Sequence, residues 1–261
     1  MKLLFHFLAK NYKIVYTKQS MIITSTQNPK IKELKKLMKD KSLIFFDNPK
    51  LIEEAVLSGN DLLYIIKKEG YVGKADYGGA ELIDVDEKVF GAFCTTVNSQ
   101  GIVGVVKLQN RVIQPPRGNF LVLDELQDPG NVGTLIRSAL GANFLDIYLL
   151  NSVNISNEKL IRSSMGAIFK TRIYQVSKDE FISNYKKWNK LLYVCDMGGK
   201  NIYKTTVSNN AGIVVGNEGN GVSAEIRDIS TGSISIPMKN GLESLNAGVS
   251  GSIIMYHVSN N

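Results

Sequence analysis

The stretch FLVLDELQDPGNVGTLIRSA, residues 120–139, runs from an apolar strand through an Asp-Pro-Gly turn into a pattern of helical period. Phe120, Leu121, Val122 and Leu123 in unbroken succession suit a strand buried on both faces. Asp128, Pro129 and Gly130 make the turn, and Asn131 is placed to start or cap the helix behind it. Arg137 lies six residues further on. At 100° per residue that is about 120° round the helix from Asn131, a gap that only a long side chain spans. Further apolar strands are expected at 144–150, 191–195, 213–216 and 234–237, alternating with helical stretches. Such alternation predicts an α/β fold with a mostly parallel sheet covered by helices on both faces. In sheets of this kind ligands sit beyond the carboxyl ends of the strands.

Upstream, Pro115 and Pro116 with Gly118 and Asn119 interrupt the pattern and mark a boundary. Before it, Asn28-Pro29 opens a basic amphipathic helix with Ile31, Leu34, Leu37 and Met38 on one side. A helix at 51–57, strands at 62–66 and 82–85, a short helix at 87–94 and a strand at 102–108 complete a compact α/β module. The expected division is an N-terminal extension 1–21, a smaller α/β domain 22–109, a linker 110–118 and a larger domain 119–261. Residues 1–20 look unlike the rest of the chain, and Met21 is a candidate start.

Across 261 residues, 44% are apolar and 21% charged, the composition of a folded chain. Lys and Arg number 31 against 24 Asp and Glu, but the excess is local: residues 1–41 hold ten lysines against Glu33 and Asp40. A cluster of this kind suits a polyanion such as RNA or DNA, an anionic membrane surface, or simply a solvated face. With Cys94 and Cys195 the only cysteines, a disulfide framework or four-cysteine zinc site cannot be built, and a reducing, cytoplasmic setting is expected. His6 and His257 are the only histidines, which argues against polyhistidine metal sites and a serine-histidine triad. No apolar run approaches the roughly 18 residues of a membrane span, and no signal peptide is expected.

Two further segments carry chemistry. IVVGNEGNGVSAEI, residues 213–226, runs from a strand into Gly216, Gly219 and Gly221, with Ser223 placed to cap a following helix. Its Gly219 to Ala224 portion formally matches a dinucleotide fingerprint, but the acidic residue that should end a later strand is represented only by Glu243, in a loop-like stretch. Taken alone, Glu218 faces solvent in a plain strand-to-helix turn. ISIPMKNGLESLNAGVSG, residues 234–251, closes a strand at Pro237. Ser244 or Asn246 then opens a helix of small residues, Ala247, Gly248, Ser250, Gly251 and Ser252, suited to close packing.

Together and in this order, residues 131–139, 214–223 and 236–246 resemble the three signature motifs of the SpoU (TrmH-like) family of RNA ribose 2′-O-methyltransferases, within the SPOUT superfamily. Residues 28–32 and 99–103 resemble the ribosomal-protein-like substrate-binding domain that often precedes that catalytic domain. The segment 39–49 departs from the family pattern: it is short, lacks arginine and has Asp47-Asn48. The resemblance implies a trefoil-knotted C-terminal domain that binds S-adenosylmethionine at Gly216, Ile236 and Leu245. It implies catalytic roles for Asn131, Arg137, Glu218, Ser244 and Asn246, no metal, a homodimer, and methylation of RNA, with ribosomal RNA favoured over transfer RNA. Arginine keeps its proton above pH 12, so Arg137 is expected to stabilise alkoxide or phosphate charge and not to act as a base. The competing readings are a catalytically silent RNA-binding or ribosome-assembly protein on the same scaffold and, from the glycine match alone, a nucleotide-dependent oxidoreductase.

Overall fold

A computed structural model describes residues 21–73, 77–94, 98–109 and 111–260, so the expected extension 1–21 lies outside them except for Met21. Asn28 caps α1 (Pro29–Leu37) by accepting from the Lys30 N–H, with Pro29 in the first helical position as the sequence predicts. Then come β1 (Leu43–Phe46), α2 (Pro49–Leu57), β2 (Leu62–Lys68), β3 (Glu81–Val85), α3 (Glu87–Phe90) and β4 (Ile102–Lys107). These strands form a mixed sheet of order β1-β4-β2-β3, with β4 antiparallel to both neighbours and β2 parallel to β3.

The second sheet uses β5 (Phe120–Asp124), β6 (Asp146–Leu150), β7 (Arg172–Val176), β8 (Leu191–Asn201), β9 (Ala211–Gly216) and β10 (Gly232–Ser235). Its order is β10-β8-β9-β5-β6-β7, and every neighbouring pair is parallel. Between the strands lie α4 (Pro129–Gly141), α5 (Glu158–Ser164), α6 (Lys178–Tyr185) and α7 (Ala224–Asp228), and α8 (Ala247–Ser259) follows β10. Residues of β5 alternate between two cores. Leu121 and Leu123 join α4, α5 and α8 on one face; Phe120 and Val122 join α6 and α7 on the other. Both faces are therefore covered, as the unbroken apolar run requires.

Two strands escaped the sequence reading. β1 is a four-residue run inside the divergent 39–49 segment, too short for a period, and β7 is half-buried with Gln175 exposed. The last strand also lies two residues earlier than expected, at Gly232–Ser235 and not 234–237. Pro237 has no N–H to give a ladder, and the early end leaves Ile236 in the loop beyond the strand.

The small residues of α8 turn inward. A Cβ on Gly251 would stand 2.5 Å from Leu135 Cδ2 of α4 and 2.8 Å from Val215 Cγ2 of β9, and the Ser252 and Ser138 hydroxyls are 2.7 Å apart. The close packing that these small residues suit is made against α4 and β9 of the same chain. Gly251→Val should lower stability by about 1–3 kcal/mol through overpacking, read as a drop in thermal midpoint that exposed Ser259→Ala does not show. A midpoint equal to wild type would mean that α8 can shift away from α4 at no cost.

Candidate active site

Beyond the carboxyl ends of β9 and β10, against the middle of β8, opens a cleft of about 730 Å3, lined by Cys195–Met197, residues 215–221, Arg227, residues 234–238 and 243–247, and by Ser250 and Ile254 of α8. Its floor is a closed loop. Asn217 and Gly221 exchange backbone hydrogen bonds of 3.0 and 2.9 Å, and Asn217 Oδ1 accepts from the Gly219 and Asn220 N–H groups. Gly221 adopts φ 69°, and a Cβ on Gly216 would stand 2.3 Å from Gly221 C and Val222 N, so both positions require glycine.

The loop is tied to the end of β5 at two points. Asn217 Nδ2 donates to the Glu125 carbonyl at 2.9 Å, and Asp124 Oδ2 accepts from both the Ser223 N–H and its hydroxyl at 2.7 Å. Asp124 is 1% exposed, and its Oδ1 has no hydrogen-bond partner among the described residues. Ser223 occupies the cap position of α7, but its hydroxyl serves Asp124 and makes no capping bond. Arg227 supports the outer wall, donating from Nε to the Val222 carbonyl at 2.9 Å and pairing with Asp196. The Gly198 N–H and that guanidinium hold the Asp196 carboxyl below its ordinary range. Burial, with Asp196 alongside, raises the pKa of the Cys195 thiol.

Three side chains from distant segments form a row at the cleft. Asn246 caps α8, its Oδ1 accepting from the Gly248 and Val249 N–H groups. That leaves its Nδ2 to donate to Asn131 Oδ1 at 2.9 Å, and Asn131 Nδ2 to donate to Glu218 Oε1 at 3.0 Å. Asn131 is free for this because it is not a cap: Asp128 caps α4, accepting the Asn131 N–H at 2.8 Å, and Pro129 begins the helix. This corrects the capping role read for Asn131. The bond from that N–H and one from Lys159 hold the Asp128 carboxyl below its usual value.

Of the remaining sequence candidates, Gly216, Ile236, Leu245, Glu218, Ser244 and Asn246 all line the cleft. Ser244 is exposed there. Arg137 lies on the exposed side of α4, outside the lining, and its guanidinium makes no hydrogen bond or ion pair among the described residues. Gly219 and Gly221 belong to the closed loop and do not open a helix, unlike the glycines of a dinucleotide fingerprint. Sequence reasoning missed Asp124, Asn217, Asp196 and Arg227; a carboxylate ending an otherwise apolar strand was the one available signal, at Asp124.

Residues 118–256 match the model of the SpoU rRNA Methylase family. The chain belongs to that family. Among curated proteins it is similar to the 23S rRNA (guanosine(2553)-2′-O)-methyltransferase RlmP of Bacillus subtilis, 28% identical over 245 residues that cover 90% of this chain and 98% of that protein. The 23S rRNA (adenosine(1067)-2′-O)-methyltransferase of Streptomyces laurentii is 32% identical over 143 residues, 53% of each chain. A crystal structure of an RNA 2′-O ribose methyltransferase superposes with TM-score 0.75 at 26% identity, covering 92% of this chain and 98% of that one. An AdoMet-bound rRNA methyltransferase from Sinorhizobium meliloti shares the fold, with TM-score 0.80 at 23% identity over 92% of this chain and 97% of that one.

In this SpoU-family chain the β5 end is the anchor of the site, and a substitution can test it. Asp124→Asn keeps an acceptor for Ser223 and should retain the loop. Asp124→Leu strands the Ser223 donors and should cost about 1–3 kcal/mol, with faster amide exchange at Gly221 and Ser223 in the native state. Wild-type protection of those two amides in Asp124→Leu would show that the loop is held by other contacts.

Proposed function

We infer that this protein transfers the methyl group of S-adenosylmethionine to a ribose 2′-hydroxyl of RNA, and that the RNA is ribosomal. The observation that carries the reading is the hydrogen-bonded row Asn246–Asn131–Glu218 beside a cleft built from the loops after β9 and β10. Family membership and relatives that methylate 23S rRNA support it. They also favour ribosomal over transfer RNA. The cleft suits the donor: about 730 Å3 is within the usual range for small-molecule sites, and Val215, Ile234, Ile236, Leu245 and Ile254 give it apolar walls beside loop backbone. Gly216, Ile236 and Leu245 would hold it, and no room exists for a side chain at Gly216.

Bound there, the sulfonium supplies an electrophilic methyl group with a neutral thioether as leaving group. The protein then has to orient the ribose and favour loss of its hydroxyl proton. Glu218, Ser244, Asn131 and Asn246 are assigned to orientation; the row fixes the direction of every amide in it, so the geometry is set before RNA arrives. Arg137 is assigned to stabilising alkoxide or adjacent phosphate charge through its guanidinium. Its exposed place on α4 suits contact with RNA and not with the donor.

The N-terminal domain, taken as residues 22–109, is assigned to RNA binding through exposed Lys32, Lys36, Lys39 and Lys41. Lys30 is excluded from that set, because its ammonium bonds Glu81 at 2.9 Å and sits 4.5 Å over the Tyr64 ring. No helix among the described residues is long and apolar enough to cross a membrane, and we assign the reaction to the cytoplasm.

We also assign a homodimer. Its support is the outer stripe of α8, where Val249 and Tyr256 are 46% and 48% exposed with half-buried Ile253 between them. Replacing both Val249 and Tyr256 by Asp should convert a sedimenting dimer to monomer; a wild-type monomer with full activity at micromolar concentration would remove the assignment.

Transfer of labelled methyl groups to rRNA, with the modified nucleotide mapped, tests the activity. In single-turnover reactions at saturating donor and RNA, Arg137→Ala should be at least tenfold slower while S-adenosylmethionine affinity stays near wild type. Arg137→Lys should recover little, since an ammonium lacks the planar fork. A wild-type rate in Arg137→Ala would make this residue an ordinary surface arginine, for which a change within about 0.5 kcal/mol in stability is the only expectation.

A further inference from the structure

At the other end of the large sheet, where β6 and β7 begin, a second concavity of about 580 Å3 is lined by Arg111, Arg117, Arg172 and Tyr174 together with Val112, Gln114 and the two prolines. The segment that forms its wall is well seated. Ile113 is 8% exposed, and the Tyr148 hydroxyl donates to the Gln114 carbonyl at 2.7 Å. Asp146, 1% exposed at the start of β6, accepts the Arg117 N–H at 2.9 Å. The side chains are therefore presented from fixed backbone.

Asp146 does not neutralise the group. Its two oxygens take the Arg172 Nε and Nη2 donors at 2.6 and 2.8 Å, a bidentate pair that accounts for one of the three positive charges. The side chains of Arg111 and Arg117 are exposed, and their guanidiniums make no hydrogen bond or ion pair among the described residues. The three arginines and Tyr174 all line the same concavity. Three guanidiniums against one carboxylate leave two charges facing one concavity, an arrangement that repels itself until an anion enters.

We propose that Arg111 and Arg117, held beside the Arg172–Asp146 pair, form a phosphate-binding pocket that docks the RNA backbone away from the transfer cleft. The inference rests on the reading of RNA as substrate and adds a second contact to it. Two free planar forks match the oxygens of a phosphodiester. The lining is dominated by guanidinium groups, with Val112, the prolines and Tyr174 as its apolar part, and contacts from planar forks to phosphate oxygens position a backbone without reading its sequence. The pocket and the cleft are separated by at least the length of β5, five residues or roughly 17 Å. One folded RNA can reach both, with its body held by the arginines and its target nucleotide at the row of Asn131 and Glu218.

The experiment compares wild type with the double variant Arg111→Ala, Arg117→Ala in binding to an rRNA transcript across a salt series. Each lost phosphate contact should reduce the slope of log affinity against log salt by about 0.7–0.9, so by about 1.4–1.8 for both. Affinity should fall at least tenfold at low salt, while S-adenosylmethionine affinity, thermal midpoint and the single-turnover rate at saturating RNA stay at wild-type values. In a second arm, inorganic phosphate and pyrophosphate are titrated as competitors. Competition only at millimolar concentration is expected for a backbone contact, whereas micromolar binding that the variant loses would assign the pocket to a free phosphate ligand and overturn RNA docking. A double variant with wild-type slope and affinity overturns the proposal and leaves the methyltransferase reading standing. A wild-type protein that binds no rRNA at any salt overturns both.

Discussion

The site depends on a row of three side chains whose hydrogen bonds can run in only one direction. Asn246 must turn its oxygen to the open N–H groups of α8, so its amide nitrogen faces Asn131; Asn131 must then accept on one side and donate on the other, and Glu218 receives the donor. The helix N-terminus thereby sets the orientation of a carboxylate on a different segment. Partners in this row are 115 and 87 residues apart in sequence, so the row closes only when β5, β9 and α8 are all in place. Such a chain of hydrogen bonds fixes the orientation of every amide in it.

Everything beneath the row serves to bring those segments together. The parallel sheet delivers the ends of β5 and β9 side by side, and Asp124 and the Glu125 carbonyl use that adjacency to hold both ends of the 217–223 loop. α8 can lie close enough to α4 only because Gly248 and Gly251 carry no side chain; a Cβ on Gly248 would stand 3.3 Å from Asn131 Oδ1. At Gly251 the requirement for glycine comes from the packed surface of α4 and β9 and not from backbone conformation, since its φ is not positive.

The smaller sheet is not strung loosely on its linker. Ile44, Phe46, Leu51, Ile52 and Ala55 belong to the same apolar cluster as α4 and α5, Phe46 meets Phe169 at 5.5 Å, and the Asn60 amide donates to the Phe169 carbonyl at 3.2 Å. The N-terminal lysines are consequently held in a defined relation to the large sheet. α1 and α3 cover the opposite face of the small sheet, packing Ile31, Leu34, Val89 and Phe90 against Leu43, Phe45 and Val105.

Patterns that involve neighbours in the chain were legible from the sequence alone. The apolar run 120–123 determined a doubly covered strand, alternation determined the parallel α/β sheet, and the three motif segments already contained Glu218, Ser244, Asn246 and the cleft residues Gly216, Ile236 and Leu245. Choices between locally equivalent residues were not legible. Asp128 and Asn131 are both able caps, and Pro129 settles the matter only when the helix start is seen. The small face of α8 could have met a partner or its own α4, because residue size says how close a contact is and not with what. The contacts Asp124–Ser223 and Asp146–Arg172 join residues 99 and 26 positions apart and leave no periodic trace. Sequence determines which faces must be buried and where the backbone can turn; tertiary structure decides which polar groups then meet, because a hydrogen bond depends on ångström distances that only the packed sheet and helices establish.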